Sequence, residues 1–270
     1  MALKDITLGQ YFPGNTIVHK LDPRTKILIV VLYIVALFCA NSFVAYGVLF
    51  VLLSVCILIS KIKLKTILKG LKPVLFIVII TGLLNLFYTP GEGAPLVTIW
   101  ILKIYPEGIR AALFMILRIS MLIVGTFLLT YTTSPILLTD GLESLLSPLK
   151  AVHLPIHELA MMMSIALRFI PTLIEETDKI MSAQKARGAD FESGNLIHKA
   201  KALVPLLVPL FISAFRRAEE LAVAMECRCY HGGEGRTRMR KLQYAGRDWV
   251  ALLIGALMLA AVIALRFLPW

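Results

Sequence analysis

The chain has 270 residues, of which 58% are hydrophobic and 17% charged, with 28 Lys and Arg against 17 Asp and Glu for a formal net charge of +11. So apolar a composition excludes a soluble single-core domain and a disordered chain alike. At roughly 20 apolar residues per crossing it has material for about five to seven membrane spans. The positive balance is the signature of cytoplasmic loops beside anionic lipid headgroups. No basic patch is interleaved with aromatics as single-strand binding requires, so nucleic acid is not an expected partner.

The first 25 residues are polar and contain Asp5, Lys20, Asp22 and Arg24. They hold no apolar core of a cleavable signal peptide. Residues 27–60 form one apolar run. As a single helix it would be about 51 Å long at 1.5 Å per residue, too long for a hydrocarbon core of about 30 Å. Asn41-Ser42 offers a turn near its middle. Both flanks are basic, through Lys20, Arg24 and Lys26 before it and Lys61, Lys63, Lys65, Lys69 and Lys72 after it. A hairpin of two short spans keeps both flanks on one side. Residues 73–89 read as a third span that starts at Pro73. Residues 90–106, punctuated by Pro90, Gly91, Gly93, Pro95 and Pro106, read as an external loop with an extended stretch at 96–105. Residues 107–133 return as a fourth span containing Arg118, which either pairs within the bundle or marks a functional position at membrane depth.

Residues 134–247 mix charge with amphipathic helix. The apolar segments 158–174 and 202–215 are short and broken, by Arg168 and Pro171 and by Pro205 and Pro209, and read as skirting the membrane. Residues 236–247 are strongly basic, hence cytoplasmic. A last span covers 249–268. The expected fold is all-α and polytopic, with about five transmembrane helices and two long amphipathic helices. Three regions follow: a membrane part at 1–133, a cytoplasmic and interfacial part at 134–247, and a C-terminal span at 248–270.

The middle region contains a repeat at an offset of 41 positions, with Arg187 over Arg228. The stripe Ile170, Leu173, Ile174, Thr177, Ile180, Met181, Gln184 falls on Phe211, Ala214, Phe215, Ala218, Leu221, Ala222, Met225, which is helical spacing twice. Charged residues occupy the other faces, among them Glu175, Glu176, Asp178, Lys179 and Lys185 in the first and Arg216, Arg217, Glu219, Glu220 and Glu226 in the second. The helices end in Ala186-Arg187-Gly188 and Cys227-Arg228-Cys229. Glycine past a helix end takes a positive φ cheaply, and a terminal Arg suits the negative end of the helix. Two copies of such an end imply more than two caps. The planar guanidinium matches a partner carboxylate bidentately, so two tips fit two similar sites on a partner of two similar subunits.

Three places make the chain resemble a known family. They are Gly9-Gln10-Tyr11-Phe12-Pro13-Gly14 running on to His19-Lys20-Leu21-Asp22-Pro23-Arg24-Thr25-Lys26, then Ala186-Arg187-Gly188, then Met225-Glu226-Cys227-Arg228-Cys229-Tyr230. The resemblance is to the transmembrane T component of energy-coupling factor (ECF) transporters, which import vitamins and trace metals in prokaryotes, and it extends over nearly the whole chain. It implies a scaffold that holds one of several interchangeable membrane-embedded substrate-binding S components and sits on two ABC-type ATPase subunits (EcfA and EcfA′). Ala186, Arg187, Gly188 and Cys227, Arg228, Cys229 would be the tips that bind those ATPases, with ATP bound by the partners and no cofactor in this chain. It also implies a multi-pass protein of a prokaryotic cell membrane, with the N-terminus cytoplasmic. One departure is that Cys229 stands where the family's second tip usually has Gly, so a left-handed turn is not assumed there, and Gly232-Gly233 can supply it.

No G-x-x-x-x-G-K-[ST] is present to cradle a phosphate. His157-Glu158 begins like a zinc-protease helix, but Met161 stands where the second His belongs. Cys227, Cys229 and His231 supply three soft ligands of a tetrahedral set that needs four. No catalytic residue and no metal site are assigned. The alternative reading, a stand-alone secondary transporter or channel, calls for paired broken helices and ionisable groups at the midplane, where only Arg118 qualifies clearly. An intramembrane enzyme needs clustered His, Glu or Asp, which the five expected spans lack.

Overall fold

A computed structural model describes residues 11–90, 97–99, 102–152, 155–191, 195–232 and 242–267. The element order is α1 (Pro23–Cys39), α2 (Phe43–Ser60), α3 (Leu64–Tyr88), β1 (Val97–Ile99), β2 (Leu102–Ile104), α4 (Pro106–Thr132), α5 (Pro135–Leu146), a 3₁₀ turn at Ser147–Val152, α6 (Ile156–Ala186), α7 (Leu196–Glu226) and α8 (Gly246–Phe267). The fold is that of an all-α polytopic membrane protein. Its extended element among the described residues is one short antiparallel pair, Val97 opposite Ile104, within the stretch expected to be extended. The chain divides into two compact units, one drawn from Gly9–Gly141 and Leu242–Trp270, the other from Leu142–Lys241.

In the first unit the apolar run breaks where the turn was expected. Ala40 ends α1, and the Ser42 side chain accepts the Ala45 N–H as the N-cap of α2. The start of α3 differs from expectation. It begins at Leu64 rather than Pro73, which lies inside it. The lysines of this first stretch stand exposed while Ile67 is buried, so one apolar position per turn suffices to extend the helix outward. Pro73 removes a single backbone hydrogen bond.

The helix directions follow from contacts. On α1 and α4, Lys26 meets Thr132, Tyr33 meets Met121, and Ala40 meets Arg118, so the two run antiparallel. Asp22 and Asp248 join the starts of α1 and α8, which run parallel. The core lies between α1, α2, α4 and α8, around Ala36, Leu37, Ala45, Leu49 and Val262. Small residues set the closest approaches, as in membrane bundles generally. A Cβ on Gly82 would stand 2.8 Å from Ile116 Cδ1, and one on Gly125 would stand 2.5 Å from Tyr33 Cε1. Outward faces are apolar, with Leu58 and Phe76 more than two-thirds exposed.

Among the described residues five helices are long and apolar enough to cross a membrane: α2, α3, α4, α6 and α8. Four of the expected spans are among them, and α6 is added. With 17 residues and a length of about 26 Å, α1 is one residue shorter than α2 and lies at the lower limit for a crossing. Helix α6, expected to skirt the membrane, has the length and composition of a span because the stretch around Arg168 and Pro171 continues as one 31-residue helix.

In the second unit α6 and α7 are both 31 residues long. The stripe from Ile170 to Gln184 is half-buried throughout, as its spacing predicts. The corresponding stripe of α7 is not. Phe211 and Phe215 are 61% and 70% exposed and stack on each other at 6.3 Å, while Leu206, Leu210, Ser213, Arg217 and Leu221 face inward. The face of α7 that packs is thus rotated from the one its apolar residues mark.

Replacing Gly125 with Val drives a branched side chain into the Tyr33 ring. The expected cost is about 1–3 kcal/mol, seen as a lower melting temperature of the purified protein in detergent, with Gly47→Ala, at an open position, unchanged.

Candidate functional site

The two repeat ends have the same backbone geometry. At the end of α6, Gly188 N–H donates to Lys185 O (3.0 Å) and Ala189 N–H to Gln184 O (3.0 Å). At the end of α7, Cys229 N–H donates to Glu226 O (2.8 Å) and Tyr230 N–H to Met225 O (3.1 Å). Every donor and acceptor of the second set lies 41 positions after its counterpart in the first. Both are Schellman ends, in which a left-handed residue turns the chain so that two orphan carbonyls are satisfied. The left-handed residues are Gly188 (φ +88°) and Cys229 (φ +56°). The departure at position 229 therefore does not remove the turn. Cys229 adopts it without a glycine, at the steric cost of a Cβ in that region. Gly232 also has a positive φ (+102°), three residues further on; Gly233 lies outside the described residues.

Arg187 and Arg228 are the last residues before these turns, and both are exposed, as are Ala186, Gly188, Cys227 and Cys229. Each tip thus projects an Arg from a helix end closed by its own backbone, with small side chains on both sides. The tips present a cation and a low-profile backbone, which suits insertion into an acidic cleft.

The facing sides of α6 and α7 carry polar contacts that the pattern of stripes missed. Arg217 Nη2 donates to Glu176 Oε2 at 2.8 Å, Ser213 Oγ donates to Glu176 Oε1, and Gln184 Nε2 donates to the Pro205 carbonyl at 3.2 Å. Glu176 and Arg217 belong to the charged faces that the sequence sets opposite the apolar stripes. His157 is likewise engaged by a carboxylate, with Nδ1 2.9 Å from Glu143 Oε1. Among the described residues no group of three or more His, Cys, Asp or Glu is placed to hold a metal ion.

The N-terminal signature forms a polar knot at one end of the membrane unit; its Gly9 and Gln10 lie outside the described residues. Asp22 caps α1 by accepting the Arg24 N–H, and the Arg24 guanidinium grips the same carboxylate through Nε and Nη2, both at 3.1 Å. Buried Asp248, which sequence reasoning did not single out, accepts the Asp22 and Ala245 N–H groups, both at 2.8 Å. The Lys26 ammonium donates to Thr132 O, Thr133 Oγ1 and His19 O. Phe12 N–H donates to Tyr131 O, and the two rings meet edge to face at 5.4 Å. Half-buried His19 donates from Nε2 to Phe12 O (3.0 Å), which leaves Nδ1 to accept from Thr16 Oγ1 (2.7 Å). Burial holds the His19 pKa below its ordinary 6.5, against the Phe12 carbonyl and with help from the Lys26 charge.

Arg118 pairs within the bundle. Nε donates to Tyr46 Oη (3.0 Å) and Nη2 to the Ala40 carbonyl at the end of α1 (3.2 Å).

Comparison with known proteins gives the family of the chain. Residues 14–239 match the family model described as CbiQ, cobalt transport protein. The chain is 59% identical to the energy-coupling factor transporter transmembrane protein EcfT of Clostridium kluyveri, over 99% of both chains. It is 54% identical to that of Thermosediminibacter oceani over 98% of this chain and 100% of the relative. For that of Bacillus subtilis the identity is 49%, over 97% and 98%.

Two outcomes follow. Cys229→Gly relieves the left-handed Cβ and stabilises the end of α7 by about 1 kcal/mol, read as slower hydrogen exchange at the Tyr230 amide. A lowered folded pKa at His19 gives stability that is complete above 6.5 and lost as pH falls through the folded value. The melting temperature of the purified protein should therefore fall from pH 7.5 to 5.5, and fall less in His19→Gln.

Proposed function

We propose that this chain, which belongs to the cobalt transport protein (CbiQ) family and is a transmembrane component of an energy-coupling factor transporter, serves there as scaffold and coupling subunit of an ABC-type importer of a vitamin or trace nutrient. The observation that carries this reading is the pair of identical Arg-bearing helix ends, on Ala186-Arg187-Gly188 and Cys227-Arg228-Cys229. Each tip docks into one of two ATPase subunits, EcfA and EcfA′, which bind and hydrolyse ATP; this chain carries out no hydrolysis. Movement of the ATPases displaces the tips, and α6 and α7 pass that displacement to an S component held against the membrane part. Region 134–247 is then the cytoplasmic and interfacial coupling region between the spans of 1–133 and 248–270.

Charge supports an orientation. The starts of α1 and α3 and the end of α2 bring Lys20, Arg24, Lys61, Lys63, Lys65 and Lys69 to one end of the membrane unit, and in this reading that end and the N-terminus are cytoplasmic. The S component is captured in part by apolar surface. Met162 and Met163 are more than half exposed, and Val204, Val208, Phe211 and Phe215 make an open apolar face on α7. Methionine adapts to more than one partner surface, as a subunit shared among S components requires.

Arg187→Glu inverts the charge of one tip. It should lower recovery of the ATPase subunits with the tagged protein about tenfold or more and abolish substrate uptake, while the amount of inserted protein stays the same. Mass spectrometry of the complex purified in mild detergent checks the first, and uptake by the same cells checks the second. Normal uptake in that variant removes the mechanism.

A further inference from the structure

Between α1, α2, α4 and α8 the membrane unit holds a cavity of about 200 Å³, lined by apolar side chains such as Ile29, Leu53, Leu128 and Met258. The polar side chains of Lys26, Tyr33 and Thr132 in its wall are engaged elsewhere. The Lys26 ammonium donates to three oxygens, the Tyr33 hydroxyl to the Met121 carbonyl, and the Thr132 hydroxyl to the Leu128 carbonyl. That leaves a water few partners, and apolar cavities of about 150 Å³ stay dry and take an apolar guest instead.

The cavity has a mouth. It shares Leu52, Ile254 and Met258 with a groove between α2 and α8. Along the groove Val44, Val51 and Leu257 are more than half exposed, on the apolar outer surface of the unit. Cys56 and Ala251 line the cavity while Val44 and Ala261 line the groove, so α2 and α8 run antiparallel and the apolar path follows both. The two helices stand apart here. A Cβ on Gly47 would meet nothing within 4 Å, unlike those on Gly82 and Gly125. Gly47 therefore serves no close approach of helices, and it leaves the groove open.

One end of this path is basic. Lys61 follows α2 and Arg247 lies in the first turn of α8, and both are exposed. Exposed Tyr244 and Trp249, with ring centres 5.9 Å apart, flank Arg247 as aromatic residues do at a membrane interface. Asp22 and Asp248 of the same end are buried, so they do not offset these charges at the surface. From Ser60 to Leu52, at the mouth of the cavity, is about 12 Å of helix, within one leaflet of a hydrocarbon core about 30 Å thick.

We propose that the cleft between α2 and α8 is a binding site for one anionic phospholipid, with its phosphate at Lys61 and Arg247 and one acyl chain running past Cys56 and Ala251 into the cavity. The chain supplies the van der Waals contacts that the cavity wall lacks. The two cations favour an anionic headgroup over a zwitterionic one. The site does not depend on what the Arg tips bind.

The test uses the complex recovered from native membranes and placed in vesicles of equal parts phosphatidylglycerol and phosphatidylcholine. Each lipid in turn carries a trace of the same species with a photoreactive diazirine in its acyl chain, and the labelled residues are mapped by mass spectrometry. Phosphatidylglycerol should label residues 52–56 and 251–258 about tenfold more than the open surface around Phe76 on α3, and about tenfold more than phosphatidylcholine labels them. Labelling spread evenly over the apolar surface, equal labelling by the two lipids, or labelling that shows a partner chain's helix in the cleft overturns the site. Variants then separate chain from headgroup. Ala251→Phe fills the cavity and should lower labelling of α2 about tenfold, and Cys56→Phe should do the same for α8. Lys61→Gln with Arg247→Gln should bring phosphatidylglycerol down to the level of phosphatidylcholine. Unchanged labelling in these variants overturns the proposal, and the measurement on the unaltered chain decides it where a variant fails to fold.

Discussion

A helix end in an apolar medium leaves polar groups that no water can satisfy, and the membrane unit is organised around that constraint. Several of its charged side chains are set on helix ends. Lys26 donates to the Thr132 carbonyl that ends α4, Arg118 to the Ala40 carbonyl that closes α1, and Arg110 to the Asn41 carbonyl in the turn beyond it. Asp248 accepts the N–H groups of Asp22 and Ala245 ahead of α1 and α8. All of these but the local Ala245–Asp248 contact join segments distant in sequence, so satisfying the ends also fixes which helices are neighbours and how they are directed.

The same constraint explains the tips. The Schellman ends at Gly188 and Cys229 each satisfy two orphan carbonyls through the backbone alone. The Arg side chain at each end is thereby spared the capping role that Arg118 performs at Ala40. A helix whose end was closed by its own terminal Arg would have that guanidinium folded back. Here Arg187 and Arg228 stay exposed on a rigid end, which is the condition for recognising a partner. The left-handed Cys229, held despite its Cβ, measures how firmly this end is specified.

Much of the architecture was readable in the sequence because its signals were local. The Asn41-Ser42 break, the extended stretch before Pro106, the two amphipathic helices and the interval of 41 positions all rest on spacing within a few turns. Misreadings arose where tertiary packing decides. Pro73 is a good marker of a helix start, yet α3 runs through it because one lost hydrogen bond does not outweigh nine further helical residues. The face of α7 was assigned from its apolar stripe, but the helix buries Ser213 and Arg217 against α6 and leaves Phe211 and Phe215 outside. A hydrophobic pattern reveals which face avoids water, not what will cover it. For a subunit that binds other membrane proteins, that face is available to a partner and the intrachain contact can be polar. Asp248 was missed for a related reason: its partner Asp22 lies 226 residues away, and no local pattern joins them.

Arg118 bears on how transport is shared among chains. A protein that carries its substrate alone needs an ionisable or polar group at mid-membrane that is able to exchange partners. Arg118 was the clear candidate, but its guanidinium is committed to Tyr46 and to the end of α1 and lies 5.7 Å from the Phe38 ring centre. Moving it would withdraw its donor from the Ala40 carbonyl at the α1–α2 turn. A residue so placed holds the bundle closed rather than opening a path through it. By contrast, the Arg side chains at the ends of α6 and α7 stay exposed, as recognition of a partner requires.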